Sequence, residues 1–451
     1  MSSNTLTSAS SVNLNTLSSY YNATLTGNFT TGLAHTLKPA SPGASLGDTL
    51  VATGTGDSLT GGVGQDSLVA LGNNAYLKAG SGVNTLVGSK TGGNTTTLVG
   101  NGRSTLEFAG ANETFLLSSS LAGGKSMPGG SGFADYKTDS IIKAPGSSAS
   151  AAASVIQTTL NKFDLGNTLN HGAGVLEITN LGYVGSNSDT LIGNTLSDYI
   201  LGGTGPNSLV AGVSGKSTLD GHLSYYGSTL VGNGSSTLIG DSEDDLFVLT
   251  KAGDTIEEES GIYLGYGATI SLTGGLSSYN MAGLSGVKNL VYSGNASATL
   301  TGNGTDSSIQ GGTGNNFLTS GGGLATLNAG ASTGSDTLVS SSNQRNSLIG
   351  GKGTNTFYVY NSADTITAGA GSKNSLISSA PYIDLSTVPG NVHFNTLTFA
   401  GTGPTTLIGT TLGGTTISAG LATSSTLSDG GGSKDYLIGA TTGADLFIVS
   451  S

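Results

Sequence analysis

Leucine recurs every nine residues near the start of the chain, at Leu50, Leu59, Leu68, Leu77 and Leu86, before the beat drifts to Leu98 and Leu106. Most of these follow a small polar pair, such as Asp57-Ser58, Asp66-Ser67 or Asn84-Thr85. A short fixed period with one apolar residue per unit marks a solenoid. One such unit cannot bury its own Leu, whereas stacked units cover one another. Thr-Leu-Val and Ser-Leu-Ile favour short strands, and the Gly-rich steps between them favour turns. Alternation then points Leu inward and Ser or Thr outward. Two nine-residue halves make a coil of about 18 residues, rising about 4.8 Å, the spacing between paired strands. The expected fold is all-β: a right-handed parallel β-roll or β-solenoid of stacked short strands, with irregular insertions and at most one short helix.

The rhythm divides the chain. Residues 1–45 read as an N-terminal arm or irregular first coils. Solenoid arrays are expected at 46–117, 187–258, 296–368 and 395–451. Each has an aromatic closing strand: NETFLL (112–117), DDLFVL (244–249), NTFYVY (355–360) and ADLFIV (444–449). Between them lie an insertion or lateral segment at 118–186, a less regular β segment at 259–295 and a loop insertion at 369–394. The Ala-rich run at 148–162 is the one candidate helix.

Composition narrows the function. Only 9% of residues are charged, and the net charge is −12, with 15 Lys and Arg against 27 Asp and Glu. Phosphate binding needs clustered cations, so no nucleic-acid partner is expected. The chain has no Cys, which excludes disulfides and thiolate ligands. No stretch approaches the roughly 18 apolar residues of a membrane span. The first 37 residues hold no Lys or Arg and no apolar run, unlike a cleaved signal peptide.

The segment GGVGQDSLV (61–69) fits the nonapeptide G-G-x-G-x-D-x-U-x in full. GGTGPNSLV (202–210), GGTGNNFLT (311–319), GGKGTNTFY (350–358) and GGGSKDYLI (430–438) are close variants. The chain thus resembles the RTX, or haemolysin-type calcium-binding, repeat family. That resemblance implies a parallel β-roll, Ca²⁺ held in the turns, and export by type I secretion to the extracellular space or the surface of a bacterium. Residues carried over as Ca²⁺ ligands are Asp66 with Gly62 and Gly64, then Asp57 and Asp435; Asp48 and Asp189 are partial candidates. The departure is systematic: Asn207, Asn316 and Asn355 stand where the pattern has Asp. Asn offers a neutral oxygen in place of a charged, bidentate carboxylate, and Ca²⁺ affinity falls with ligand charge. Stacked Asn and Thr side chains are expected to form hydrogen-bonded ladders instead.

Motifs of catalysis are weak. Gly43-Ala44-Ser45-Leu46-Gly47 fits G-x-S-x-G without the strand-to-helix setting. Gly215-Lys216-Ser217 lacks the leading Gly of a P-loop. His35, His171, His222 and His393 are scattered, and the acidic runs at 241–245 and 257–259 read as solvated charge. Tyr20-Tyr21 and Tyr225-Tyr226 are candidate contact pairs. The expected function is therefore a secreted structural protein, not an enzyme. It forms a homo-oligomeric filament or surface lattice, since a solenoid leaves strand edges at its ends. A calcium-binding adhesin or secretion module is the first alternative, and a β-helix enzyme acting on polysaccharide the second. A cell-surface polysaccharide is a further possible partner.

Overall fold

The computed structural model describes the strand backbones at 4–6, 12–13, 24–27 and 36–38. It then describes residues 49–117, 139–144, 154–167, 173, 178–240, 244–258 and 267–450, except 63, 81, 91–94, 111, 370, 371 and 390. The chain forms two compact units, Met1–Ile239 and Gly240–Ser451.

The first unit is built from ladders in which each strand pairs, in parallel, with the next strand but one. One ladder runs through Asn4–Leu6, Thr24–Gly27, Thr49–Ala52, Ser67–Ala70, Thr85–Val87, Thr105–Phe108 and Ser140–Lys143. A second alternates with it from Val12–Asn13 to Tyr199–Leu201 and Thr218–Asp220. From Lys162–Asp164 a third ladder alternates with the second, through Asp189–Ile192, Asn207–Val210 and Ser228–Val231.

The second unit repeats the plan. Ladders through Leu246–Leu249, Ala268–Leu272 and Val287–Tyr292, and through Ser278–Asn280, Ala298–Thr301 and Asn316–Thr319, alternate along the chain. A last ladder holds Tyr382–Asp384, Thr405–Ile408, Ser425–Ser428 and Asp445–Ile448. The fold is a parallel β-solenoid.

The nine-residue beat is the half-coil. Leu50 lies opposite Leu68 and Leu68 opposite Leu86 in one ladder, while Leu59 lies opposite Leu77 in the other. All five are fully buried. Burial alternates along strands such as Thr49–Ala52, as the period of two requires. Each buried Leu contributes roughly 1.5–3 kcal/mol, which needs the coils on either side. Coils approach so closely at the turns that a Cβ on Gly80 would fall 1.9 Å from the Gly62 carbonyl oxygen. Gly is required there by space rather than by torsion.

Three expectations change. No α-helix occurs among the described residues. The run at 148–162 becomes strand at Val155–Thr158 and begins another at Lys162; residues 148–153 lie outside the described residues. The ladder partners Phe115 and Leu181 bury Ile156 between them, and its β-branched neighbour Val155 suits a strand better than a helix. The stretch 369–394, expected as a loop, carries ladder strands at Lys373–Ser378 and Tyr382–Asp384. Three of the four aromatic strands do not close arrays. Glu113–Leu117, Leu246–Leu249 and Thr354–Val359 each pair onward with a following strand. Their rings, Phe115, Phe247 and Phe357, fill the core.

Candidate functional site

Coils are locked together at their corners, and that is where the residues read as calcium ligands lie. Asp66 is buried, and its Oδ2 accepts a hydrogen bond from the Gly62 amide four residues earlier. The same contact recurs where Asn replaces Asp. Gly203, Gly312 and Gly351 donate their amides to the Oδ1 of Asn207, Asn316 and Asn355 at 3.0, 3.0 and 2.9 Å. Asp66 therefore does the structural work that Asn does elsewhere. Asn adds a second bond, because its Nδ2 donates back to the carbonyl of the same glycine at 3.0, 3.1 and 3.1 Å. An ionised Asp cannot donate. The Asn substitutions thus close a two-bond clamp across the turn.

These clamps stack into the expected ladders. Asn316 Nδ2 donates to Asp336 Oδ1 at 2.8 Å, and Asn355 Nδ2 to Asn374 Oδ1 at 2.7 Å. Asp336 and Asn355 are register partners, and all four side chains are buried. A second device is the Gly-Asn-Gly step. Asn233 Nδ2 donates to the Gly212 and Gly215 carbonyls of the preceding coil, and Asn303 Nδ2 to those of Leu284 and Val287. Each Oδ1 accepts from its own turn, at Ser235 N and Thr305 N.

The remaining candidates scatter. Asp57 is buried and accepts from Gly54 N at 2.7 Å. Gly62 is half-buried and Gly64 buried. Asp435 accepts from Thr415 N at 2.6 Å, and its Oδ2 is buried without a hydrogen-bond partner. Burial and the neighbouring Asp429 push its carboxyl up. Asp189 Oδ1 and Asp198 Oδ1 are likewise buried without partners, and burial pushes both carboxyls up to about 6. Asp48, the G-x-S-x-G segment, His35, His171, Tyr20-Tyr21, Asp241, Glu243 and Glu259 lie outside the described residues. Among the described residues no three His, Cys, Asp or Glu side chains converge. Nor is any helix there long and apolar enough to cross a membrane. Asp66 is engaged by its own turn, whereas Asp435 Oδ2 meets no hydrogen-bond donor.

One constellation escaped the sequence reading. Asp220, buried at the end of its strand, meets both His222 Nδ1 and the Tyr199 hydroxyl, the latter at 2.6 Å. The only cue in the sequence is Asp-Gly-His at the strand end; the Tyr comes from the preceding coil.

Tyr436–Ile438 and Asp445–Ile448 are the last strands of their ladders. Phe447 occupies the column of Leu407 and Leu427, which are fully buried, yet Phe447 is 47% exposed. Tyr436, Ile438, Leu446, Ile448 and Val449 are exposed too. Comparison with family models, curated proteins and solved structures gives no match to this chain. The resemblance to RTX repeats rests on the nonapeptides alone, and the solenoid on its own ladders.

Proposed function

We propose that this is a structural protein, exported from a bacterial cell, that assembles with copies of itself into an extracellular filament or surface lattice. The observation that carries the reading is the stack of parallel ladders whose corners are held by buried Asn clamps. A solenoid presents a similar short strand at each coil, so a contact made once between two copies can recur along the stack, and a heterologous contact of this kind propagates rather than closes. The ladders of Asn in place of Asp support a fold that holds without a cation. In this reading the protein has no catalytic role.

The state of assembly of the full chain, with and without EDTA, tests it. Sedimentation and electron microscopy of the unaltered protein are expected to give filaments or sheets that survive EDTA. Unaltered protein that stays monomeric at millimolar concentration refutes the reading. Assembly that appears only with Ca²⁺ favours the calcium-binding adhesin, for which the free oxygen of Asp435 is the supporting observation.

A further inference from the structure

The corner at 221–227 is built unlike its neighbours in the same unit. The turns at 184–188 and 202–206 join the same two ladders, and 221–227 is two residues longer. The extra length carries Leu223, Tyr225 and Tyr226 outward, and the two tyrosines are 82% and 71% exposed.

The turn beneath them is nonetheless fixed. Ser224 N donates to the Gly221 carbonyl at 3.0 Å, Tyr226 N to Ser224 Oγ at 3.2 Å, and Tyr225 N to the Thr204 carbonyl of the preceding coil at 3.3 Å. Gly227 closes the turn at φ 75°, a torsion that favours Gly.

Beside the tyrosines stands the Asp220 group. The carboxylate accepts from the His222 backbone N at 3.2 Å, from His222 Nδ1 and from the Tyr199 hydroxyl. Burial and this bond push the Tyr199 hydroxyl up to about 12, so it remains a donor. In the neutral imidazole with Nδ1 donating to Asp220, Nε2 is the acceptor, on a side chain 47% exposed. Burying a carboxylate is costly unless it is hydrogen-bonded. Here that cost is met by bonds that hold one ring of Tyr199 and the imidazole of His222 in place.

The segment 221–227 offers flat rings and one oriented acceptor, and contains no Lys or Arg. A chain of net charge −12 repels anionic ligands. With aromatic side chains of roughly 200 Å² each, Tyr199, Tyr225 and Tyr226 expose on the order of 400 Å². That is about half of what one partner of a stable protein pair buries, about 800 Å². The ligand is therefore small in footprint, uncharged, and both apolar-faced and rich in hydroxyls. We propose that the 221–227 corner binds a neutral polysaccharide, with sugar rings lying on Tyr225 and Tyr226 and a hydroxyl donating to His222 Nε2. This goes beyond the assembly reading and does not depend on it.

Affinity electrophoresis of the full chain in gels containing hydroxyethylcellulose, glycol chitin, dextran or, as the anionic control, alginate tests the proposal. Retardation by at least one neutral polymer and none by alginate is expected. Tyr225→Ala/Tyr226→Ala is expected to weaken that binding at least tenfold, and His222→Ala threefold or more. Both tyrosines are exposed, so the double variant keeps the circular dichroism and thermal midpoint of the parent. Retardation by none of the neutral polymers, or equal retardation of the double variant, overturns the proposal. So does a double variant that alters sedimentation of the protein alone, which would make the patch a contact between chains.

Discussion

Asn355→Asp is the sharpest probe of the corner clamps. Asn355 is fully buried. Its Oδ1 accepts from Gly351 N, and its Nδ2 donates to the Gly351 carbonyl at 3.1 Å and to Asn374 Oδ1 at 2.7 Å. An ionised Asp keeps the first bond and turns the other two into oxygen facing oxygen. Each buried acceptor left unmet costs about 1–3 kcal/mol, so the variant loses roughly 3–5 kcal/mol at pH 8. Burial holds the new carboxyl above its ordinary range. Once protonated it donates again and restores one of the two bonds, leaving a cost of about 1–2 kcal/mol at pH 5. The folded group thus has the higher pKa, and stability falls as pH rises through it. A repeat chain need not unfold in one step, so the assay is amide hydrogen exchange over 351–378 at both pH values. Asn355→Ala is the pH-independent control. Equal protection of the Asp variant at pH 5 and pH 8 refutes the clamp. So does rescue at pH 8 by millimolar Ca²⁺, because the substitution completes the nonapeptide at 350–358 and rescue would mean that the turn accepts a cation.

Other outcomes follow from the same contacts. Asp189 and Asp198 sit near 6 in the fold because of burial, against 3.8 as the ordinary value. Both states are protonated below about 4. Between about 4 and 6 only the unfolded chain ionises, so stability declines across that window and levels off above it. Two units correspond to about 3 kcal/mol, and solvent screening leaves about 1–2 for each group. Urea midpoints higher at pH 4.5 than at pH 7.5 are expected, and a flat profile contradicts the assignment. Leu209→Ala empties a fully buried position and is expected to cost about 2–5 kcal/mol by urea titration; a loss below 1 would mean that the column is not tightly packed. EDTA at neutral pH is expected to leave the far-ultraviolet dichroism unchanged, and its collapse would make the fold cation-dependent.

How much the chain discloses before folding depends on range. The nine-residue beat states the half-coil directly, because a buried Leu on a short strand and a tight turn are local demands. The ladder of Asn316, Asp336, Asn355 and Asn374 was legible as a rule, since register places equivalent turns over one another. Its purpose was not, because the second bond of the clamp appears only when Gly351 and Asn355 face each other. The Ala-rich run at 148–162 misled because local composition favours helix, while its partners Phe115 and Leu181 are far away in sequence. The same distance hid Tyr199 from Asp220 and His222. Lys373–Ser378 and Tyr382–Asp384 were obscured by the prolines around them, which sit at the corners and leave the strands intact.

The ladder that steps from Phe115 straight to Ile156 has a practical corollary. Neighbouring rungs meet in register whether 17 residues separate them, as between Leu98 and Phe115, or 41, as between Phe115 and Ile156. Such a scaffold grows or shrinks by whole cassettes and tolerates foreign segments spliced in at a bend. The number of rungs in a ladder is then set by how many copies of one motif the gene carries, and duplication or deletion of a cassette should add or remove rungs while sparing the pairing of the rest.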